Sequence, residues 1–175
     1  ENLIVMPEIL CYSHSVHPRI RYVFDWILKH RWAKKYVLTH DITSYENWIG
    51  PKIWYHSTKP TSGFWLPMAS PFYFEQNIGY IPEVQTDSIT PQLFPCNRND
   101  SLGYDIPAAV FWMLSRMEEY APSIKDSHDR FPATASLAYR SGFLAIPVVD
   151  HWVEQLRNVL NSFYPGLKLP TPTLS

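Results

Sequence analysis

The sequence predicts an α/β (α+β) domain in which a small mixed β-sheet is packed by about three helices, with a long loop region rich in proline and aromatic residues. Short runs of strand formers recur early in the chain, at residues 8–13, 36–40 and 52–57. Two later stretches, 105–119 and 147–163, space their apolar residues for helices. Ahead of those stretches, over residues 67–99, the chain holds Pro67, Pro71, Pro82, Pro91 and Pro95 among aromatic and polar residues, a composition suited to a long ordered loop with short strands.

Taken in order, residues 8–13 (EILCYS) form an apolar run ending in polar residues. Pro18 then signals a helix start, and Ile20, Val23, Phe24, Ile27 and Leu28 follow at helical spacing, which predicts a helix over 18–30. After the basic stretch 29–35, the runs YVLT and KIWYHS predict two further strands. Phe64, Trp65 and Leu66 suggest another strand, confined to an edge or an end because Pro67 cannot donate to a ladder. Asp105 is a candidate N-cap with Pro107 in the first turn, and Ile106, Ala109, Val110, Met113 and Met117 make one apolar stripe behind it. In the last helix Val149, Trp152, Val153, Leu156, Val159, Leu160 and Phe163 share a side, with Glu154, Arg157 and Asn158 opposite.

The length of 175 residues suits one domain, read here as residues 1–164, with 165–175 (PGLKLPTPTLS) as a linker toward a downstream domain. At 46% hydrophobic and 18% charged residues the composition is that of a globular chain. Sixteen prolines and six glycines, against roughly nine and twelve at average usage, make for stiff loops. The net charge of -1 without a Lys/Arg cluster argues against nucleic acid as a partner. No apolar run is long enough to cross a bilayer and the first residues lack a secretory pattern, so the chain reads as cytoplasmic. Cys11 and Cys96 lie in unlike surroundings, and no disulfide is expected between them.

The aromatic share of 15%, with seven Trp, exceeds what one small core needs. The surplus makes Trp48, Trp54, Tyr55, Trp65, Phe72 and Tyr73 candidates for contact with a glycan or an interface. His14 and His17, with His40 and His56 at neighbouring strand ends, invite a metal reading, but an HxxH pair with no nearby Glu is an incomplete ligand set, and His17 before Pro18 serves equally to begin the helix. No metal and no cofactor is expected. Asp126, His128 and Asp129 are the weak catalytic candidates; Asp and Ser in a polar loop serve at least as well to cap turns. Arg116, Glu118, Glu119 and Tyr120 gather where the 105–119 helix ends. The two acids there oppose the helix dipole and call for a cation, with Arg130 or Arg140 expected to supply it and to clamp the 125–140 loop. Neither a GxSxG elbow nor a glycine-rich phosphate loop is present.

The run Asp105 to Tyr120 (DIPAAVFWMLSRMEEY), then HDRFPA at 128–133, GFL at 142–144 and PVVDHW at 147–152 resembles an uncharacterised bacterial domain that precedes a polysaccharide-deacetylase-like (NodB-type) catalytic domain. The resemblance is carried by about 105–152, with Asp105, Arg116, Glu118, Glu119, Arg130, Asp150 and Trp152 as its structural motif. It implies a non-catalytic accessory or glycan-contacting domain, with the downstream deacetylase-like domain of the same polypeptide as partner and polysaccharide as a further one. The NodB-type metal motifs, a paired aspartate and a His-Ser/Thr-x-x-x-His, are missing; His14-Ser15-Val16-His17 is too short to match the second. A purely structural scaffold between domains, and an independent hydrolase built on Asp126, His128 and Asp129, are the rival readings.

Overall fold

The computed structural model describes residues 8–70, 80–97, 102–120 and 125–171. The α/β class is as the sequence predicts. Four strands, β1 (Ile9–Ser13), β2 (Tyr36–Thr39), β3 (Lys52–His56) and β4 (Phe64–Pro67), form one sheet in the order β2-β1-β3-β4, and every pairing in it is parallel. Antiparallel pairing occurs apart from this sheet, in a two-stranded ribbon, β5 (Val84–Gln85) with β6 (Gln92–Leu93), and in an isolated bridge between Pro95 and Tyr104. Pro67 closes the outer strand β4, where a missing N–H costs no ladder bond.

One face of the sheet carries the core. Ile9 and Cys11 of β1, Ile53 and Tyr55 of β3, and Phe64 and Leu66 of β4 point to it, and Ile20, Val23 and Phe24 of α1 (Pro18–Phe24) pack there with two later helices. His17 caps α1 by accepting the Arg19 N–H on Nδ1, which accounts for the histidine before Pro18 without a metal. The same helix widens into a π-helical turn over Asp25–Arg31 before β2. Helix α2 (Ile42–Asn47) covers part of the opposite face through Tyr45, which packs on Leu10 and Tyr12. It lacks apolar periodicity, and its sequence signal is Asp41 alone, whose carboxylate accepts the Thr43 and Ser44 N–H groups.

Helix α3 (Ile106–Leu114) starts at the predicted cap: Asp105 accepts the Ala108 N–H at 2.9 Å. It stops five residues before Glu119, and Ile106 through Trp112 are all buried instead of forming one stripe, as befits a helix enclosed on every side. The Ser115 hydroxyl donates to the Phe111 carbonyl, Arg116 takes a left-handed backbone (φ 50°), and the chain continues as a 3-10 turn, Met117–Tyr120. After the short helix α4 (Leu137–Arg140), helix α5 (Val148–Phe163) buries Trp152, Val153, Leu156 and Leu160 against the core. The Trp152 indole donates to the Pro91 carbonyl at 2.8 Å, and Asp150 pairs with Arg31 at 2.7 Å, tying the π-helical turn to the start of α5. The expected linker gives way at its beginning: Pro165–Leu167 form a 3-10 turn, and Leu167 and Leu169 are buried. The backbone of Leu169 exchanges hydrogen bonds with Asn161, so the domain extends past residue 164.

Candidate functional site

An open parallel sheet concentrates its ligand-accessible backbone ends at the carboxyl edge, and most of all where successive connections leave in opposite directions. In the order β2-β1-β3-β4 that point lies between β1 and β3, because the chain leaves β1 for one neighbour and later returns to the other side. Histidines mark the edge: β1 ends at Ser13 and runs into His14, β2 ends at Thr39 and runs into His40, and β3 ends with His56 itself. The His14 and His56 rings lie 6.4 Å apart, nearly perpendicular. The His56 ring accepts the Thr58 N–H on Nδ1 at 3.1 Å, which leaves Nε2 as its N–H end. Burial first, and then neighbouring His14, holds the His56 imidazole below its ordinary pKa and so neutral near pH 7. Ser13 is fully buried at the end of β1, and its hydroxyl has no hydrogen-bond partner among the described residues.

On the sheet face away from the main core, period-two alternation places Tyr12 of β1 opposite Trp54 of β3. Their rings stack at 4.1 Å and 9°, with the Tyr45 ring of α2 at 5.1 Å and His56 at 5.4 Å from Trp54. The Trp54 indole is pinned by donation to the Thr58 carbonyl, and that of Trp48 by donation to Pro51. The half-buried Trp65 donates to the His56 carbonyl, so β4 borders the same platform. Four of the aromatic candidates are thus sorted: Trp48, Trp54 and Trp65 are half-buried, whereas Tyr55 is not a surface residue at all. Tyr55 is one position out of phase with Trp54, faces the core and donates its hydroxyl to Asp105 at 2.8 Å. Phe72 and Tyr73 lie outside the described residues. Tyr12 is a site residue that the sequence reading does not single out, and His56, considered there only as a metal ligand, joins it; the alternation within EILCYS and KIWYHS is the signal that places both on the Trp54 face.

Asp105 is the most perturbed carboxyl of the edge. It is fully buried and accepts from the Tyr55 hydroxyl, from Ala108 N and, at 2.9 Å, from Ala69 N just past β4. Burial dominates those donors and raises its pKa from 3.8 to about 7. Its ties to β3, to the segment after β4 and to α3 make it a structural rivet.

The acid/base candidates are occupied elsewhere. The Asp126 carboxylate accepts the N–H groups of His128 and Arg130 and pairs with the Arg130 guanidinium, while Asp129 pairs with Lys125, all in an exposed turn. Those hydrogen bonds hold Asp126 below the ordinary carboxylate range, the reverse of what a general acid needs near neutrality. The cation beside Glu119 is Arg116, not Arg130 or Arg140. The clamp on the loop comes from Glu118, which accepts the Leu137 N–H at 2.8 Å. Arg116, Glu118 and Glu119 border a cavity of about 260 Å³ walled by Trp112, Phe131 and Leu144. Among the described residues no group of three His, Cys, Asp or Glu side chains is placed to hold a metal ion, and neither cysteine is in a disulfide.

Residues 9–165 match the model of a family described as "Family of unknown function (DUF7033)". Comparison with curated proteins and with solved structures gives no match.

Proposed function

The chain belongs to the DUF7033 family, whose function is unknown, and from that premise we propose that it is a non-catalytic accessory module that contacts polysaccharide at the carboxyl edge of its sheet. The observation that supports this reading is the Trp54 ring, laid flat on Tyr12 and fixed by its bond to Thr58. A pre-positioned aromatic face stacks on the C–H face of a sugar ring with little loss of side-chain freedom. The resemblance carried by residues 105–152 puts such a module ahead of a polysaccharide-deacetylase-like domain in one polypeptide, where it would hold substrate near a catalytic centre outside this chain. The rivet at Asp105 and the Glu118 clamp belong to the residues that carry the resemblance, and both serve to hold the fold rather than to do chemistry.

The test is a titration of the chain with chito-oligosaccharides and bacterial polysaccharides, followed by Trp fluorescence and calorimetry. Binding in the millimolar range or tighter, lost in Trp54→Ala and kept in Tyr139→Ala, is expected; Tyr139 is an exposed aromatic residue on α4, away from the edge. If no saccharide changes the signal at millimolar concentration while a separately expressed deacetylase-like domain binds tightly, the module is a scaffold between domains.

A further inference from the structure

Lys52 opens the run KIWYHS in phase with Trp54 and His56, so its side chain takes the platform face of β3. It is 8% exposed, the one buried basic side chain among the described residues, and none of their ion pairs includes it. Its ammonium is held by Tyr45 instead, through the backbone carbonyl at 3.1 Å and through the ring, whose centroid lies 4.6 Å away. Gly63 makes room for both side chains: a Cβ there would meet the Tyr45 hydroxyl at 2.2 Å and Lys52 Cγ at 2.9 Å.

What Tyr45 does gives that contact its meaning. Helix α2 has six residues, too few to stand on its own hydrogen bonds, and Tyr45 is its buried residue. The Tyr45 ring lies 5.1 Å from Trp54 and meets Tyr12 edge-on at 5.9 Å, so it walls the stacked pair on the α2 side. The Tyr45 carbonyl also accepts the Trp48 N–H, and the Trp48 indole donates to Pro51, the residue before Lys52. Burying an ammonium without a counter-ion costs more than burying an apolar chain of the same length, so packing alone does not call for lysine here.

We infer that Lys52 is a positioning residue of the platform: it holds Tyr45 against Trp54 and Tyr12, and through that ring fixes the plane that Trp54 offers to a sugar. The inference rests on the glycan reading above and names the group that keeps the site preformed. Methionine at this position fills a similar volume but supplies neither charge nor donor, so α2 loosens and Trp54 loses its side wall.

The test compares Lys52→Met, Lys52→Arg, Tyr45→Leu and the double variant Lys52→Met with Tyr45→Leu, each checked for folding by far-UV circular dichroism. Two quantities are read: affinity for the saccharides named above by calorimetry, and the contribution of Trp54 to the near-UV circular dichroism, taken as the difference from the matching Trp54→Phe protein. Lys52→Met should weaken binding about threefold to tenfold and shrink the Trp54 signal, and Lys52→Arg, which keeps the charge and a donor, should restore most of both. In the Tyr45→Leu background Lys52→Met should lose most of its effect, whereas a lysine that only adds to overall stability would give additive losses. Should Lys52→Met not fold, Lys52→Gln, which keeps a donor without the charge, carries the same expectation. If the uncharged variant matches the parent in affinity and spectrum, if Lys52→Arg is equally impaired, or if the full effect persists without the Tyr45 ring, the inference fails and the glycan reading stands. If no saccharide binds the parent, the glycan reading fails, and the Trp54 signal alone decides whether Lys52 sets that ring.

Discussion

Replacing Asp105 with Asn removes a titration that the fold forces on a buried carboxyl. The side chain is fully buried and its folded pKa lies near 7, against an ordinary value of 3.8. Because the folded value is raised, the folded state binds the proton more tightly. The stabilisation is complete below about pH 4, declines as pH rises and is gone above about pH 7. With each pH unit worth about 1.4 kcal/mol, the whole loss is about 4 kcal/mol. The proton has a place to sit, since the Tyr55 hydroxyl that donates to Oδ1 at 2.8 Å can turn to accept from it, leaving the other oxygen for Ala69 N. Asn cannot charge, but its NH2 must face either the Ala69 or the Ala108 N–H, which costs about 1–3 kcal/mol. The Asn variant is therefore expected to be less stable than the parent near pH 4.5 and more stable near pH 8. Urea unfolding of both proteins across that range, followed by Trp fluorescence, measures the difference directly. Carboxyls with lowered values, Glu8, Asp41, Asp126 and Glu154, favour the folded state as pH rises and cancel in the comparison. A difference that stays flat within about 1 kcal/mol, or that grows in favour of the parent as pH rises, would show that the three donors outweigh burial.

Trp152→Ala should cost about 3–5 kcal/mol, because a fully buried indole is removed from α5 and the Pro91 carbonyl loses its donor; a loss below about 1 kcal/mol in chemical denaturation would contradict that burial. Gly63→Ala should destabilise by about 2–5 kcal/mol, since the residue has φ +91° and a Cβ there would sit 2.2 Å from the Tyr45 hydroxyl; an unchanged urea midpoint would show that Tyr45 moves aside freely. Asp126→Ala should leave saccharide binding unchanged within error, because its partners lie in one exposed turn; a loss of any hydrolytic activity in that variant would revive the hydrolase reading. The isolated chain should not deacetylate N-acetylglucosamine oligomers, since the sequence holds neither the paired aspartate nor the full histidine motif; acetate release by purified protein would overturn this.

The elements legible in the sequence were those whose signal is local. KIWYHS alternates because one face of β3 meets the core and the other does not, and Asp105 reads as a cap because its own carboxylate closes the first turn of α3. The stripe on α5 is visible because that helix keeps a solvent side, whereas α3, enclosed all round, has no polar face to set its phase or show where it stops. Its end depends on Ser115 turning back to Phe111 and on a left-handed Arg116, choices made by packing around the cavity. Helix α2 escaped notice because a single cap and one buried Tyr45 define it. The tail read as a linker from its prolines, yet Leu167 and Leu169 find burial that composition does not reveal.

The candidate site was legible only in part, because its members come from separate strands. Trp54 and His56 were visible as an aromatic and a histidine, but the sequence could not separate Trp54 from Tyr55, adjacent residues that share a composition and differ only in which face they take. Strand order was beyond the sequence as well. Parallel pairing of β1 with both β2 and β3 depends on long-range hydrogen bonds that leave no trace in either segment alone, and it is that order which brings His14 to His56 and Tyr12 to Trp54. The sequence by itself determined the class, the four parallel strands as candidate strands, the Asp105 N-cap and the buried stripe of α5, all products of local periodicity and local hydrogen bonding. The tertiary structure alone decided the strand order, the face each aromatic takes and the buried state of Asp105, because these depend on which distant segments exclude water from one another.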